Sequence, residues 1–198
     1  MNNLFFDPIH HIYTLNGLRV RSVTQILQEA GLVDYSHVPA MVLEAARKFG
    51  TAVHKATELY DLDNLDESIL DNALRPYLDG WKKFRKDTGV IIEAVEEMVC
   101  SEKYRFAGKP DRRVILDKRG ILDIKTSFEM LPAVRLQTAG YELAYNEGRA
   151  VKDKSHRRLA VLLNDDGGGY KIEEYRNKND ANIFLAALTI CNFKGGLI

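Results

Sequence analysis

The sequence predicts an α/β fold: a helical first half, entered through a β-hairpin, followed by a mixed central sheet flanked by helices. Three observations carry this expectation. Apolar residues recur at helical spacing as far as Gly89, short β-rich runs dominate from Val90 onward, and Asn16-Gly17 separates two alternating segments near the start.

Residues 11–15 and 18–21 flank Asn16-Gly17, a dipeptide that accepts the positive φ angles of a two-residue turn, so they read as a hairpin. Ser22-Val23-Thr24-Gln25 has capping-box spacing, Val23, Ile26 and Leu27 share a helical face, and Gly31 supplies a stop. A long helix is expected over residues 39–60, with Pro39 at its start and Val42, Leu43, Ala46, Phe49, Val53 and Ala56 at helical spacing. Gly50 interrupts it at some cost. Asp66 is placed to cap a further helix carrying Ile69, Leu70 and Leu74, and Pro76 is expected to break or kink the path before Tyr77, Trp81 and Phe84. Residues 90–101, 109–116 and 120–126 read as strands, the last two joined antiparallel by a turn at 117–120. A helix over 132–147, a strand over 158–163, a loop over 165–169, a strand over 170–174 and a helix over 180–193 complete the chain.

At 198 residues and 45% hydrophobic content, one domain spanning residues 1–198 can bury a core without disulfides. Lys+Arg and Asp+Glu are both 28, a balance unlike that of strongly basic proteins that coat nucleic acid, so any polyanion site depends on how charge is distributed. Cys100 and Cys191 stand far apart, which excludes a zinc knuckle and a four-cysteine iron–sulphur cluster. The N-terminus lacks a basic segment followed by a long apolar run, and no stretch has the length of a membrane span. A soluble cytoplasmic protein with no membrane partner is expected.

The chemistry concentrates in Gly108-Lys109-Pro110-Asp111, followed twelve residues after the aspartate by Asp123-Ile124-Lys125. On a strand, residues two apart share a face, so Asp123 and Lys125 project together while Leu122 and Ile124 turn to the core. The hairpin can bring Asp111 beside Asp123. Two carboxylates and a backbone carbonyl make an oxygen site suited to magnesium or manganese, and an adjacent ammonium can orient water and offset charge on a phosphorane-like transition state. The bland reading is an ordinary charged face of a half-exposed hairpin. On either reading these side chains are expected to be solvent-accessible and outside the core.

Two further motifs favour the chemical reading. Gly50-Thr51-Ala52-Val53-His54 lies upstream and Gln137-Thr138-Ala139-Gly140-Tyr141 downstream. With G-x-P-D and D-I-K-T between them, this series resembles the PD-(D/E)XK nuclease superfamily, especially its RecB-like and phage exonuclease members, over residues 11–145. The resemblance implies a restriction-endonuclease-like fold and a magnesium- or manganese-dependent deoxyribonuclease. It implies that Asp111, Asp123 and the Ile124 carbonyl bind metal with His54 as a further ligand, and that Lys125 is catalytic. Gln137 and Tyr141, one helical turn apart, would contact the DNA strand or brace the site. Glu96 falls where relatives often carry an acidic residue, with Glu97 adjacent.

The resemblance also implies DNA as partner, a homo-oligomer and a recombination partner protein as further associations, and the cytoplasm of a bacterial or phage-infected cell as the setting. Iron–sulphur subfamilies are excluded. Lys103, Arg105, Lys109, Arg112 and Arg113 flank the site as a basic group, and Lys152, Lys154, Arg157 and Arg158 form a second that could track phosphates or equally be a solvated loop. An exonuclease acting on DNA ends in recombination or processing leads. A structure-specific or nicking endonuclease shares the same chemistry. A non-catalytic DNA-binding module and a metal-dependent small-molecule phosphatase are the readings from other classes.

Overall fold

In the computed structural model, which describes residues 3–165 and 169–195, the chain begins with three antiparallel strands. Strands β2 (Ile12–Leu15) and β3 (Leu18–Ser22) pair about Asn16-Gly17, whose φ angles of +53° and +78° are those the tight turn demands. β1 (Leu4–Asp7), not foreseen from the sequence, adds to β2. Ser22 closes β3 and caps α1 (Val23–Glu29). Its hydroxyl accepts the Gln25 N–H at 3.1 Å while Gln25 Oε1 accepts the Ser22 N–H at 2.9 Å, so the capping box forms as its spacing predicts.

Helix α2 (Ala40–Asp61) runs unbroken through Gly50, where a Cβ would stand only 3.2 Å from the Thr126 hydroxyl. Its first two turns do not pack as the apolar spacing suggested. Met41, Val42 and Ala46 are exposed, and the buried face starts at Val53. Two expectations are corrected in the next stretch. Asp66 caps only a single 3₁₀ turn (Glu67–Ile69), and Pro76 does not break a helix. Pro76 instead lies in the first turn of α3 (Arg75–Thr88), where a missing N–H leaves no bond unmade and a fixed φ suits initiation. Gly89, at φ +64°, closes that helix in the left-handed conformation.

The run expected as one strand over residues 90–101 is two. β4 (Ile91–Val95) and β5 (Val99–Ser101) lie in different sheets, with Glu96 at φ +51° where the chain crosses between them. There follow β6 (Phe106–Gly108), β7 (Arg112–Leu116), β8 (Lys118–Lys125), α4 (Val134–Asn146), a 3₁₀ turn (Val151–Asp153), β9 (Arg157–Leu163), β10 (Tyr170–Glu174) and α5 (Asn179–Lys194). The loop expected over 165–169 falls largely on residues 166–168, outside the described residues.

Two mixed five-stranded sheets result, ordered β1-β2-β3-β6-β5 and β10-β9-β8-β7-β4. β8 and β9 run parallel because α4 carries the chain back across the sheet. Leu122 and Ile124 join Val53, Trp81 and Phe84 of α2 and α3 in one core. Ile121 joins Val23, Leu136 and Phe184 of α1, α4 and α5 in another. β8 is therefore a central strand covered on both faces, and this decides the character of the site at its end.

Candidate active site

The β7–β8 ladder ends with Arg112 opposite Leu122, so the next residues, Asp111 and Asp123, meet where the chain passes from one sheet to the other. Asp111 Oδ2 accepts the Ile124 N–H at 2.6 Å, and its Oδ1 lies 3.0 Å from His54 Nδ1, delivered by α2. Lys125 Nζ stands 2.5 Å from Asp123 Oδ2 and donates to Gln137 Oε1 at 3.0 Å. Gln137 Nε2 faces Asp123 Oδ1 at 3.3 Å and the Tyr141 hydroxyl at 3.1 Å. Glu96, at the other crossing, pairs with Lys109 at 2.6 Å and donates its backbone N–H to the Asp111 carbonyl at 3.0 Å. Ligating atoms of His54, Glu96 and Asp111 lie within 4.8 Å of one another. His54, Asp111 and Glu96 thus form one group of possible ligands, Glu97 instead pairing its carboxylate with Arg113, while Asp123 is tied to Lys125 and Gln137.

One expectation fails. Asp111 and Asp123 are 7% and 2% exposed and belong to the interior, whereas His54, Glu96, Lys125 and Gln137 keep partial access. Ionised groups leave water only when the fold supplies replacement interactions, and here it supplies them densely. Arg112, fully buried, donates to Asp61 at 2.6 Å, to the Asp111 carbonyl at 2.7 Å and to the Thr57 hydroxyl at 3.2 Å. Asp61 also accepts from Trp81 Nε1 at 3.0 Å and from Arg85 at 2.8 Å. The Asp111 backbone is thereby clamped between Arg112 and the Glu96 N–H. The sequence reading missed this clamp, because Arg112 reads as one more strand charge and Asp61 lies fifty residues upstream.

Gly108, which opens the G-x-P-D segment, has a steric reason. A Cβ there would meet the Tyr141 ring at 2.6 Å. Tyr141 packs directly on this backbone, buried, and its hydroxyl reaches the cleft only through Gln137.

The electrostatics follow from burial and neighbours. Burial, reinforced by the Asp111 charge, outweighs the attraction of Lys125 and pushes the Asp123 carboxyl up to about 6. For Asp111 the burial effect is overcome by His54, Lys125 and the Ile124 N–H, which hold it well below the usual carboxylate range. Burial and the Asp111 charge raise Glu96. For His54 burial is outweighed by Asp111, so its imidazole is held above its ordinary value. Lys125 is likewise raised, because Asp123 and Asp111 outweigh its burial.

These residues fit a divalent cation. The donor set of carboxylate oxygens with one imidazole is that of hard and borderline ions. Asp123 Oδ2 is shielded from solvent, and the Lys125 ammonium at 2.5 Å accounts for one of its acceptor directions. A buried carboxylate oxygen with an unfilled acceptor direction is a ready ligand.

A cleft of about 650 Å³ opens onto this cluster, lined among others by His11, Gln28, Tyr35, Arg47 and Thr51. Tyr35 and Arg47 were not anticipated. One lies in an aperiodic connection and the other on a helix surface, where nothing local marks a cleft residue. Two members of the second basic group expected to track phosphates are corrected. Arg158 is buried against Asp180 at 3.0 Å, and Arg157 pairs with Glu174 at 2.8 Å, so both hold the fold together.

No family model matches the chain, and no curated protein matches it. Solved structures do. LHK-Exo in complex with dAMP shares 14% identity at a TM-score of 0.49, over 88% of this chain and 87% of that one. The alkaline exonuclease LHK-Exo from Laribacter hongkongensis shares 14% at 0.42, over 88% and 91%. SSO0001 shares 16% at 0.40 over 60% of this chain, which spans 56% of the length of SSO0001.

Proposed function

We propose that this protein is a magnesium- or manganese-dependent DNA nuclease of the PD-(D/E)XK kind, acting as an exonuclease in DNA recombination or processing. The observation that carries the reading is Lys125, whose ammonium lies against Asp123 and is aimed by Gln137, beside a carboxylate and imidazole cluster at the floor of an open cleft.

Asp111, Asp123 and the Ile124 carbonyl would hold the cation, with His54 and Glu96 completing the set. Bound there, a divalent ion supplies Lewis acidity towards a phosphate oxygen and a lowered pKa for water. The remaining work falls to the side chains. Lys125 keeps its proton because two carboxylates face it, so it can donate to a non-bridging phosphate oxygen and offset charge that grows in the transition state. Gln137 fixes the position of that ammonium, and Tyr141 fixes Gln137. Arg47 and Tyr35 line the route by which a strand would enter, one offering positive charge and the other a ring.

The test is a gel series with end-labelled linear duplex, single strand and covalently closed circle, each with magnesium, manganese or chelator. Linear DNA should be degraded from its ends with either metal, the circle should persist, and chelator should stop the reaction. Lys125→Ala should slow cleavage by about a hundredfold or more. Cutting of the closed circle at the same rate would convert the reading to an endonuclease. Undiminished activity in Lys125→Ala would remove the site assignment.

A further inference from the structure

On the far side of α1 from the catalytic cleft lies a second groove, of about 750 Å³, bounded by β3, α1, the β5–β6 turn and α5. Its cations are Arg19, Arg21, Lys103 and Arg105, and its carboxylate is Glu29. Arg21 is committed to the fold, since it pairs with Glu29 at 2.7 Å and donates to Asn192 and to the Cys191 carbonyl at 3.2 Å each. Three positive charges are left over.

Their pairing state is unusual for this molecule. Arg85, Arg112, Arg119, Arg157 and Arg158 are all engaged with carboxylates. Among the described residues, Arg19, Arg47 and Arg105 make no side-chain hydrogen bond or ion pair. Arg47 lines the catalytic cleft, and the other two line this groove. Sheet register keeps them together. β3 runs parallel to β6 with Arg21 opposite Phe106, so Arg19, two residues earlier, projects from the same outward face beside the turn that carries residues 103–105. Within that turn Lys103 lies 4.8 Å above the ring of Tyr104, which is partly exposed in the groove wall.

We infer that this groove binds a single nucleic-acid strand through its phosphates, as a site separate from the catalytic cleft. Unpaired guanidinium groups suit phosphate by planar, forked donation, and an aromatic ring beside them suits a base, a pairing of features that an acidic peptide does not need. α1 is the shared wall. Thr24 and Gln28 face the catalytic cleft, and Gln25 and Glu29 face the groove. A strand that crosses this helix engages both sites. The inference takes the identity of its polyanion from the nuclease reading above, but not its location.

The test is fluorescence anisotropy with a labelled single-stranded oligonucleotide in chelator, over a range of salt, for the unmodified protein and for Arg19→Glu/Arg105→Glu. The variant should bind about tenfold or more weakly, and its log affinity against log salt should be shallower by about 1.4, the loss expected for two phosphate contacts on a single strand. Arg19→Gln/Arg105→Gln should show the same direction and carries the test should the charge-reversed form fail to fold. Polyglutamate of equal charge should not displace the oligonucleotide. Identical affinity and slope in a folded variant, or displacement by polyglutamate, would overturn the groove assignment. An unmodified protein that shows this binding difference yet cuts no DNA with magnesium would sink the nuclease reading and leave the groove standing.

Discussion

Two glycines separate what holds the fold from what aims the chemistry. At Gly140 a Cβ would meet the Phe184 ring at 2.8 Å and Val23 at 3.1 Å, all within the core beneath α1, α4 and α5. At Gly108 it would meet the Tyr141 ring at 2.6 Å, and that ring supports Gln137. Both substitutions to alanine should therefore cost about 1–3 kcal/mol of stability by overpacking. Only Gly108→Ala should also lower kcat in protein that remains folded, because it shifts the hydroxyl that positions Gln137. Urea midpoints compared with turnover would show this, and equal kcat in the two variants would refute the brace assigned to Tyr141. A third residue tests burial. Glu142 is raised above its ordinary value by burial, which outweighs Arg158 and the Ser155 hydroxyl. A carboxyl raised in the folded state contributes stability that is complete below its unfolded value and is lost as pH climbs through the folded one. Glu142→Gln should accordingly leave stability near pH 4 unchanged and increase it at pH 8, read as the urea midpoint at each pH.

At the scale of elements, α1 carries more consequence than its seven residues suggest. It is pinned at one end by the Ser22–Gln25 capping box, buries Val23, Ile26 and Leu27, and divides the proposed catalytic cleft from the basic groove. Ser22→Ala removes the side-chain half of the box and should cost about 1 kcal/mol in a urea unfolding experiment. Glu96 and Asp111 show a different use of elements. Each sits where the chain leaves one sheet for the other, so the site is assembled from two crossings and not along one strand. Here the sequence was only partly legible. The D-x-K spacing and the hairpin placed Asp123, Lys125 and Asp111, since strand alternation and short loops are local rules. The change of sheet at Glu96 left no periodic signature, because residues 90–101 are β-rich on both sides of it. Pro76 was misread for a related reason. A proline within an apolar helical pattern looks like a breaker until the start of the helix is known, and the packing of Leu78, Trp81 and Phe84 decides that start.

For the whole molecule, burial of the acidic cluster has a thermodynamic consequence. Three carboxylates, those of buried Asp111 and Asp123 and of partly exposed Glu96, face two ammonium groups, Lys109 and Lys125, and the His54 imidazole. A cation that binds the folded chain and not the unfolded one should stabilise it, by about 2.7 kcal/mol at a hundred times its Kd. Magnesium or manganese should raise Tm in the unmodified protein and leave it unchanged in Asp111→Asn, measured by calorimetry. An equal rise in both would place the ion elsewhere. Net charge pointed away from a polyanion partner, yet the pairing of charges across the molecule answers the question better than their sum. Among the described residues most arginines face carboxylates, and Arg19, Arg47 and Arg105, whose side chains make no hydrogen bond or ion pair, line the two grooves.

The sequence by itself determined the β2–β3 hairpin with the capped helix that follows it, and the β7–β8 pair that carries Asp111 and Asp123 at its end. Both rest on short-range geometry: the 3.6- and 2-residue periods, turn chemistry and the reach of a tight connection. Only the tertiary structure decided that these acids are buried, that Arg112 and Asp61 hold Asp111 from behind, that Tyr141 lies on Gly108, and which arginines are free to meet a ligand. Those properties depend on distant segments excluding water from the same few ångströms of space, and no local pattern in the chain encodes which segments will do so.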